Sequence, residues 1–486
     1  MPVPLDRTCR RLQPFSPPPP PLRPSQAKAE LEGHLSGGVV WCLVGVEALN
    51  LWLQDGQEDV PSDQLHARPP PSLAMPDPAS TARCADFPDW VILYTRASVS
   101  HHNANATTAR SVTSSGHPIS VTFELVDPPG LSRCVVDCPD LTPGGTRSPP
   151  CVTGADGAFL LIRVMFPKCR SPTNVFLYGA GPGAAPSLRL LPRPYPSDLH
   201  FQYVGVLSCG HQHEHCLVVV PVRRFEARGH MSYDLKIFST VTGSWSTKVA
   251  GVAPYLSRFH GLVMHRQTKV LNVGGGSLAW VDLRRGSGML LCNVLDDRPE
   301  MNLIRLPALM PANEELLGDC SEGCVRPIRD VTCTNGYIRF IEMEDVDDDD
   351  DSDTATMQCR WRATVFKTTT NSWNWERCCT VHSDGLSPAD SCLPELFPEI
   401  WNKEEKTLTL EKVISNFPIL DMFHDDVVYM TSQLDVQDPN GWVLAVDTRN
   451  NKLDRAVPFS TAKAYCDDTK LQCAFSKYLS KSLEWF

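Results

Sequence analysis

Three alternating histidines bracketed by two cysteines make the strongest claim to chemistry in this 486-residue chain: Cys209-Gly-His211-Gln-His213-Glu-His215-Cys216. On an extended strand successive side chains point to opposite faces, so His211, His213 and His215 would share one. Imidazole and thiolate are zinc ligands, and a structural zinc site draws four of them, usually from two segments. Cys134/Cys138 and Cys320/Cys324, each pair with three residues between, are the candidate second segments. No paired CxxC or HxxxH stands elsewhere, and a polar hairpin loop explains the histidines as well. A zinc protein using Cys209, His211, His213, His215 or Cys216 is therefore an alternative, and no metal ligand is assigned.

Other chemistry-bearing stretches have plainer explanations. The acidic run from Glu342 through Asp347 to Asp353 puts nearly continuous acid into one loop. Calcium loops alternate acids with Gly and end in a chelating Glu. This run has no Gly and repels itself, which predicts a solvated loop. Gly179-Ala-Gly181-Pro-Gly183-Ala184 matches the dinucleotide fingerprint in letters, but that fingerprint needs a helix whose amides face the pyrophosphate. Pro182, Pro186, Pro192 and Pro194 forbid a long one. Gly274-Gly275-Gly276-Ser277 lacks the lysine of a phosphate loop and reads as a turn. There is no G-x-S-x-G elbow and no H-E-x-x-H pair. Trp373 and Trp375 read as a strand pair with one ring in the core and one outside. No residue is assigned a catalytic or cofactor-binding role, and no cofactor is expected.

The elements that would position these groups are strands. Tyr233–Ser239, a turn at Thr242-Gly243 and a second strand entered through Trp245 set the pattern. Apolar runs bounded by turn residues repeat it at Trp90–Thr95, Ile119–Val126, Arg133–Asp137, Ala158–Met165, Asn174–Tyr178, Cys216–Val222, Leu278–Leu283, Met289–Leu295 and Met301–Leu306. Asp330–Cys333 turns at Asn335-Gly336, a strong hairpin signal, into Tyr337–Met343. Trp361–Lys367, Trp373–Arg377, Val427–Ser432, Trp442–Asp447 and Leu453–Pro458 complete the set. Ser187–Pro196 reads as a connection, and Tyr465–Leu483 as a short closing helix. Turns near Gly243, Gly286, Asn371 and Asn450 fall at multiples of roughly forty residues, the size of a four-stranded propeller blade. The fold expected is all-β, a propeller-like array of antiparallel hairpins, with a β-sandwich pair as the other option. Three segments are expected: a Pro-rich, largely disordered extension over 1–86, an N-terminal β module over 87–200, and the main hairpin-repeat domain over 201–486. Within the extension, Val39–Leu53 is apolar but too short to span a bilayer.

Composition narrows the function classes. A formal charge of -11 and a pI near 5.7 oppose nucleic-acid binding, whose footprint is a basic patch. Nineteen cysteines, odd in number and scattered, lack the pattern of a disulfide-stapled secreted domain. No apolar leader follows Met1. These features predict a cytoplasmic or nuclear protein with mostly reduced thiols, without nucleic-acid or membrane partners.

Several longer motifs point to a family. Phe87-Pro88-Asp89-Trp90-Val91, Phe123 to Gly130 and Pro186 to Pro192 lie in the first half; Tyr233-Asp234-Leu235, Trp280 to Gly286 and Leu291 to Asp297 lie in the centre. Asp425-Asp426-Val427-Val428-Tyr429 and Phe475-Ser476-Lys477-Tyr478-Leu479 lie near the end. Together they resemble the plant domain-of-unknown-function family 1618, over roughly Phe87 to Leu483. The resemblance implies a grass-expanded, F-box-associated-like propeller organisation and supplies no catalytic residues. With it, the expected function is a non-enzymatic protein-interaction module with protein partners of unknown identity. The alternative enzyme is a hydrolase with its site in a propeller channel, for instance His260 or His265 with an aspartate.

Overall fold

The computed structural model describes residues 87–479 apart from 102, 143–148, 167–172, 182–183, 194–203, 211–212, 226–230, 257–264, 266, 285–287, 318–327, 347–358, 371, 373, 391, 393–399, 436–437, 439 and 461–469. All of them belong to the unit Gln57–Phe486. The extension over 1–86, His211, His260, Cys320, Cys324, Trp373 and Asp347 to Asp353 lie outside the described residues.

Among those residues the fold is all-β, as the alternation predicts. The first sheet combines β1 (Val91–Tyr94), β2 (Ser98–Val99), β3 (Ala109–Val112), β4 (Pro118–Glu124) and β5 (Leu131–Asp137) with a strand from the far end of the chain. Four antiparallel strands follow: β6 (Cys151–Asp156), β7 (Phe159–Met165), β8 (Thr173–Gly179) and β9 (Ser187–Leu190). The next four are β10 (Gly205–Cys209), β11 (His215–Phe225), β12 (Met231–Ser239) and β13 (Ser244–Val252). Then come β14 (Lys269–Gly274), β15 (Ser277–Asp282), β16 (Gly288–Asn293) and β17 (Glu300–Ile304). A parallel edge pairing of β13 with β17 joins these last two groups.

The fourth meander is β18 (Arg329–Thr334), β19 (Tyr337–Asp345), β20 (Trp361–Thr369) and β21 (Glu376–His382). A short β22 (Ser387–Pro388) and the ribbon of β23 (Trp401–Asn402) and β24 (Thr407–Leu408) lead to β25 (Ile414–Leu420), β26 (Val427–Gln433), β27 (Asn440–Asp447) and β28 (Lys452–Ser460), with β22 on the edge of β28. Finally β29 (Lys470–Cys473) pairs antiparallel with β1. The stretch read as a closing helix is thus a strand followed by a 3-10 turn, Phe475–Tyr478. A partner strand from the opposite end of the chain overrides the local pattern there. Ser187–Leu190, read as a connection, is the outer strand β9, pairing with β8.

The middle strands of the sheets are largely buried, which is why many of them read as nearly continuous apolar runs, while outer strands such as β13 and β21 are mostly exposed. Six apolar cores are found among the described residues, each filled by two neighbouring sheets. Phe123 and Tyr178 pack between the first sheet and β6–β9, and Leu161 and Phe238 between β6–β9 and β10–β13. Tyr233 and Trp280 fill the next core, Val281 and Phe340 the one after, and Val365 with Met430 the fifth. The sixth joins Trp90 and Ile92 of the first sheet to Tyr429 and Val443 of the last.

Local chemistry fixes the hairpins. Asn335 and Gly336 both sit at positive φ, 53° and 79°, as the turn between β18 and β19 requires. A second repeated device is a tryptophan at the head of a fourth strand. Trp245 packs on Phe238 and donates Nε1–H to the Pro192 carbonyl at 2.9 Å. Trp375 packs on Phe340 and donates to the Arg305 carbonyl at 2.8 Å. Each indole thereby ties its hairpin to the chain leaving the preceding meander. Among the described residues no helix is long and apolar enough to cross a membrane.

Candidate functional site

Polar side chains converge where the first strands of successive meanders meet. β6 lies against β10, β10 against β14, β14 against β18, and β18 against β25. Sequence reasoning missed most of these strands, because they alternate poorly: β14 reads Lys-Val-Leu-Asn-Val-Gly, and β25 carries Pro418 and a positive φ at Phe417. The polar residues that spoil the pattern are the ones that meet.

One cluster centres on Asp330. Lys269 Nζ approaches Asp330 Oδ1 at 2.6 Å, with both side chains only 10% exposed. Gln472 donates Nε2–H to Asp330 Oδ2 at 2.6 Å and to the Leu420 carbonyl at 3.2 Å, while its own Oε1 accepts from Lys269. The Leu420 amide donates to Asp330 Oδ2 at 3.1 Å. Four segments, β14, β18, β25 and β29, are therefore tied through one carboxylate, whose charge stays buried because a cation and neutral donors surround it.

A second cluster centres on Asp156, at the end of β6. Its Oδ2 accepts from the Ser208 amide at 2.7 Å and from Asn272 Nδ2 at 2.9 Å. Burial pushes this carboxyl above its ordinary range, against the opposing pull of those donors, His213 and the Gly157 amide. Ser208 Oγ stands 2.6 Å from His213 Nδ1, and the His213 ring meets Tyr478 at 4.9 Å. Gly157 lies directly beneath: a Cβ there would come within 2.5 Å of His213 Nδ1 and 2.6 Å of Ser208 Oγ. Burial and Asp156 also raise the Cys209 thiol and the Tyr478 phenol.

The histidine cluster is arranged differently from the sequence expectation. His213 is a turn residue at φ 54°, whereas His215 lies in β11 opposite Cys209. The single-face alternation fails because the chain reverses between them. Cys216 points into the core beside Val206 and Val218 and is fully buried. Among the described residues no three His, Cys, Asp or Glu side chains stand close enough to share a metal. Cys134 and Cys138 belong to the core of the first two sheets.

His265 does meet an aspartate, but inside the protein. It is 2% exposed and Asp282 is fully buried. His265 Nε2–H donates to the Trp280 carbonyl at 3.0 Å. Burial lowers the imidazole to about 4 against the pull of Asp282, so the ring is neutral near pH 7.

The acidic run is also divided. Glu342 and Glu344 are buried on β19, not in a loop. Glu342 accepts two bonds from Arg329, at 2.9 and 2.6 Å, and one each from the Met310 amide and Asn313. Period two aims these two acids at the 3-10 segment Pro311–Leu317, where the Ala312 amide donates to Glu344.

Chemically, Ser208 and His213 have the spacing of a nucleophile and its base. The third member of such a set is a carboxylate that orients the ring. Asp156 instead holds the Ser208 backbone and Asn272 and makes no hydrogen bond to His213.

Residues 280–429 match the model of a family described as a protein of unknown function, DUF1618, which agrees over that stretch with the family the motifs resemble. No curated protein matches the chain. Among solved structures, the chain is similar to a levansucrase mutant from Bacillus subtilis, with 8% identity, 64% of this chain and 84% of that one covered, and a TM-score of 0.24. Two levansucrase mutants from B. megaterium show 10% and 9% identity. They cover 76% and 78% of this chain and 93% and 92% of theirs, with TM-scores of 0.26 and 0.25. Likeness at this level carries no argument about activity.

Proposed function

We propose that this chain, matched over its centre to a family of unknown function, is a non-enzymatic protein-interaction module built on a propeller-like ring of six sheets. The ring reading is supported by the cycle of six cores, which runs through consecutive sheets and returns from the last to the first. It is supported as well by the pairing of β29 with β1. The observation that carries the functional reading is the Asp330 cluster. At the meeting point of the first strands, where a channel enzyme would hold reactive groups, Lys269, Asp330 and Gln472 neutralise and satisfy one another. Groups so engaged serve the scaffold, and specificity then falls to the loops that the rigid sheets present.

In this reading the protein is intracellular, cytoplasmic or nuclear, and works as an F-box-associated-like adaptor. The test is affinity purification of the tagged full chain from plant cells with mass spectrometry of what is retained. A single dominant partner, or ubiquitin-ligase subunits, recovered in near-equal amount is the expected result. Turnover of an ester or glycoside by the purified chain, abolished in Ser208→Ala, would overturn it. That second outcome belongs to the hydrolase reading, which the 2.6 Å Ser208–His213 contact favours.

A further inference from the structure

An aromatic ledge built around one lysine stands out on the surface. Phe423, 44% exposed, lies in the turn between β25 and β26. The ammonium of exposed Lys477 sits 5.7 Å from its ring centre and 5.1 Å from that of Tyr478, which in turn meets His213 at 4.9 Å. Three segments distant in sequence thus place three rings and one cation side by side. Among the described residues no carboxylate pairs with Lys477; the acids that follow Phe423 pair elsewhere, Asp425 with Arg339 and Asp426 with Arg449.

The ledge is held rigidly. Asp421, buried, accepts from the Phe423 and His424 amides at 2.7 and 2.8 Å and from Tyr429 OH at 2.6 Å. Buried Arg339 donates to the carbonyls of Asp421 and His424, and Thr334 Oγ1 donates to that of Met422. The turn is therefore fixed on both sides, yet its phenyl ring is held out in water. On the other side, buried Phe475 and Ser476 anchor the 3-10 turn that bears Lys477 and Tyr478. Preorganised exposed aromatic rings lower the ordering cost of association and are typical interface anchors.

The geometry points to this ledge as a docking surface for an acidic peptide segment of a partner protein, its carboxylate on Lys477 and a neighbouring apolar side chain across Phe423 and Tyr478. The inference rests on the interaction-module reading and names the partner's chemistry. Charge complementarity selects the occupant: Lys477 lies against both rings and pairs with no carboxylate among the described residues, and a lysine already stacked on two rings brings its charge to them at short range. The chain's own acidic run is a poor occupant in cis. It is rooted at Asp345, at the opposite end of β19 from Tyr337, whose partner Thr334 is bonded to Met422. That strand is roughly 27 Å long, and half of the following loop reaches about 23 Å at full extension.

The test selects random phage-displayed peptides on the folded full-length chain and measures the enriched peptides on Lys477→Glu and Phe423→Ala variants, with melting temperatures confirming that both fold. The expected result is enrichment of peptides carrying Asp or Glu beside Leu, Phe or Trp, each weakened about tenfold or more by either substitution. Enrichment of basic peptides, no enrichment at all, or unchanged affinity on both variants would overturn the ledge. A dimer of the chain that Lys477→Glu dissolves would overturn the choice of occupant in favour of a second copy. If a co-purified partner binds both variants as well as it binds the unsubstituted chain, the ledge falls while the interaction-module reading stands.

Discussion

Asp330 and Asp156 occupy comparable places, each a carboxylate where first strands meet, and they are held in opposite ways. Asp330 faces a lysine ammonium at 2.6 Å and neutral donors from two further segments. Asp156 is given only neutral donors, Ser208, Asn272 and Gly157, with His213 nearby, and burial raises its pKa. The first is a closed ion pair whose members cannot be separated without stranding a charge. The second is a carboxylate kept at a cost to the fold. Asp330 is buried and Asp156 half-buried, so the deeper carboxylate is the one given a counter-ion, and the partner decides what each contributes.

The sharpest way to break the comparison is the same substitution at both sites. Asp330→Asn preserves shape and one acceptor but leaves Lys269 buried without its counter-charge, so it should cost about 3 kcal/mol or more. Calorimetry should show a large fall in Tm. Adding Lys269→Met to that variant removes the stranded charge and should recover most of the loss, a coupling that a double-mutant cycle measures directly. A loss below about 1 kcal/mol for the single variant would mean the pair is effectively solvated.

The same contrast explains what was legible in the sequence. Middle strands such as β12, β19 and β27 announce themselves through their apolar residues, on one face in β12 and on both in β27, and the Asn335-Gly336 turn announces the hairpin it makes. First strands other than β18 do not. β6, β10, β14 and β25 carry Asp156, Ser208, Lys269, Asn272 and a proline among the residues that also fill the cores, such as Val152, Val206, Val273 and Ile419, and that mixing of polar with apolar residues erases the period-two signal. The C-terminal stretch misled for a different reason: nothing within Lys470–Cys473 shows that Val91–Tyr94 will pair with it. The histidine alternation was visible but uninformative, since the backbone turns at His213, so His213 and His215 share no strand face. Phe423 and Lys477 carried no chemical signal at all. Their meaning depends on two distant turns arriving side by side, which no local window contains.

Gln472 offers a smaller test of how far the Asp330 cluster reaches. It is neutral, so Gln472→Ala strands no ion, but it removes bonds to Asp330, to the Leu420 carbonyl and from Lys269. A cost of about 1–2 kcal/mol is expected, and the loss should fall on the contact between β29 and its neighbours. Amide hydrogen exchange should therefore quicken along Val91–Tyr94 before it quickens in β12 or β19. Uniform acceleration across all sheets would instead mean that the chain opens only as a whole.

Asp156→Asn should have the smallest effect, and its sign depends on pH. The folded-state pKa of Asp156 lies above its ordinary value of 3.8. Between those two values the folded protein binds more protons than the unfolded chain, so this group's contribution to stability falls as pH rises through the window. Asparagine has no such slope. Its side-chain oxygen can still accept from Ser208 and Asn272, while its amide meets the Gly157 N–H poorly, so the net change at neutral pH should stay within about 1 kcal/mol. Denaturant titrations of both proteins from acid to neutral pH give the check. The unsubstituted chain should hold its greatest relative advantage at the acid end and lose it as Asp156 ionises. An advantage that instead grew with pH would show that the Asp156 anion is stabilised by His213 and its donors more than burial opposes it, which would make the two carboxylates alike after all.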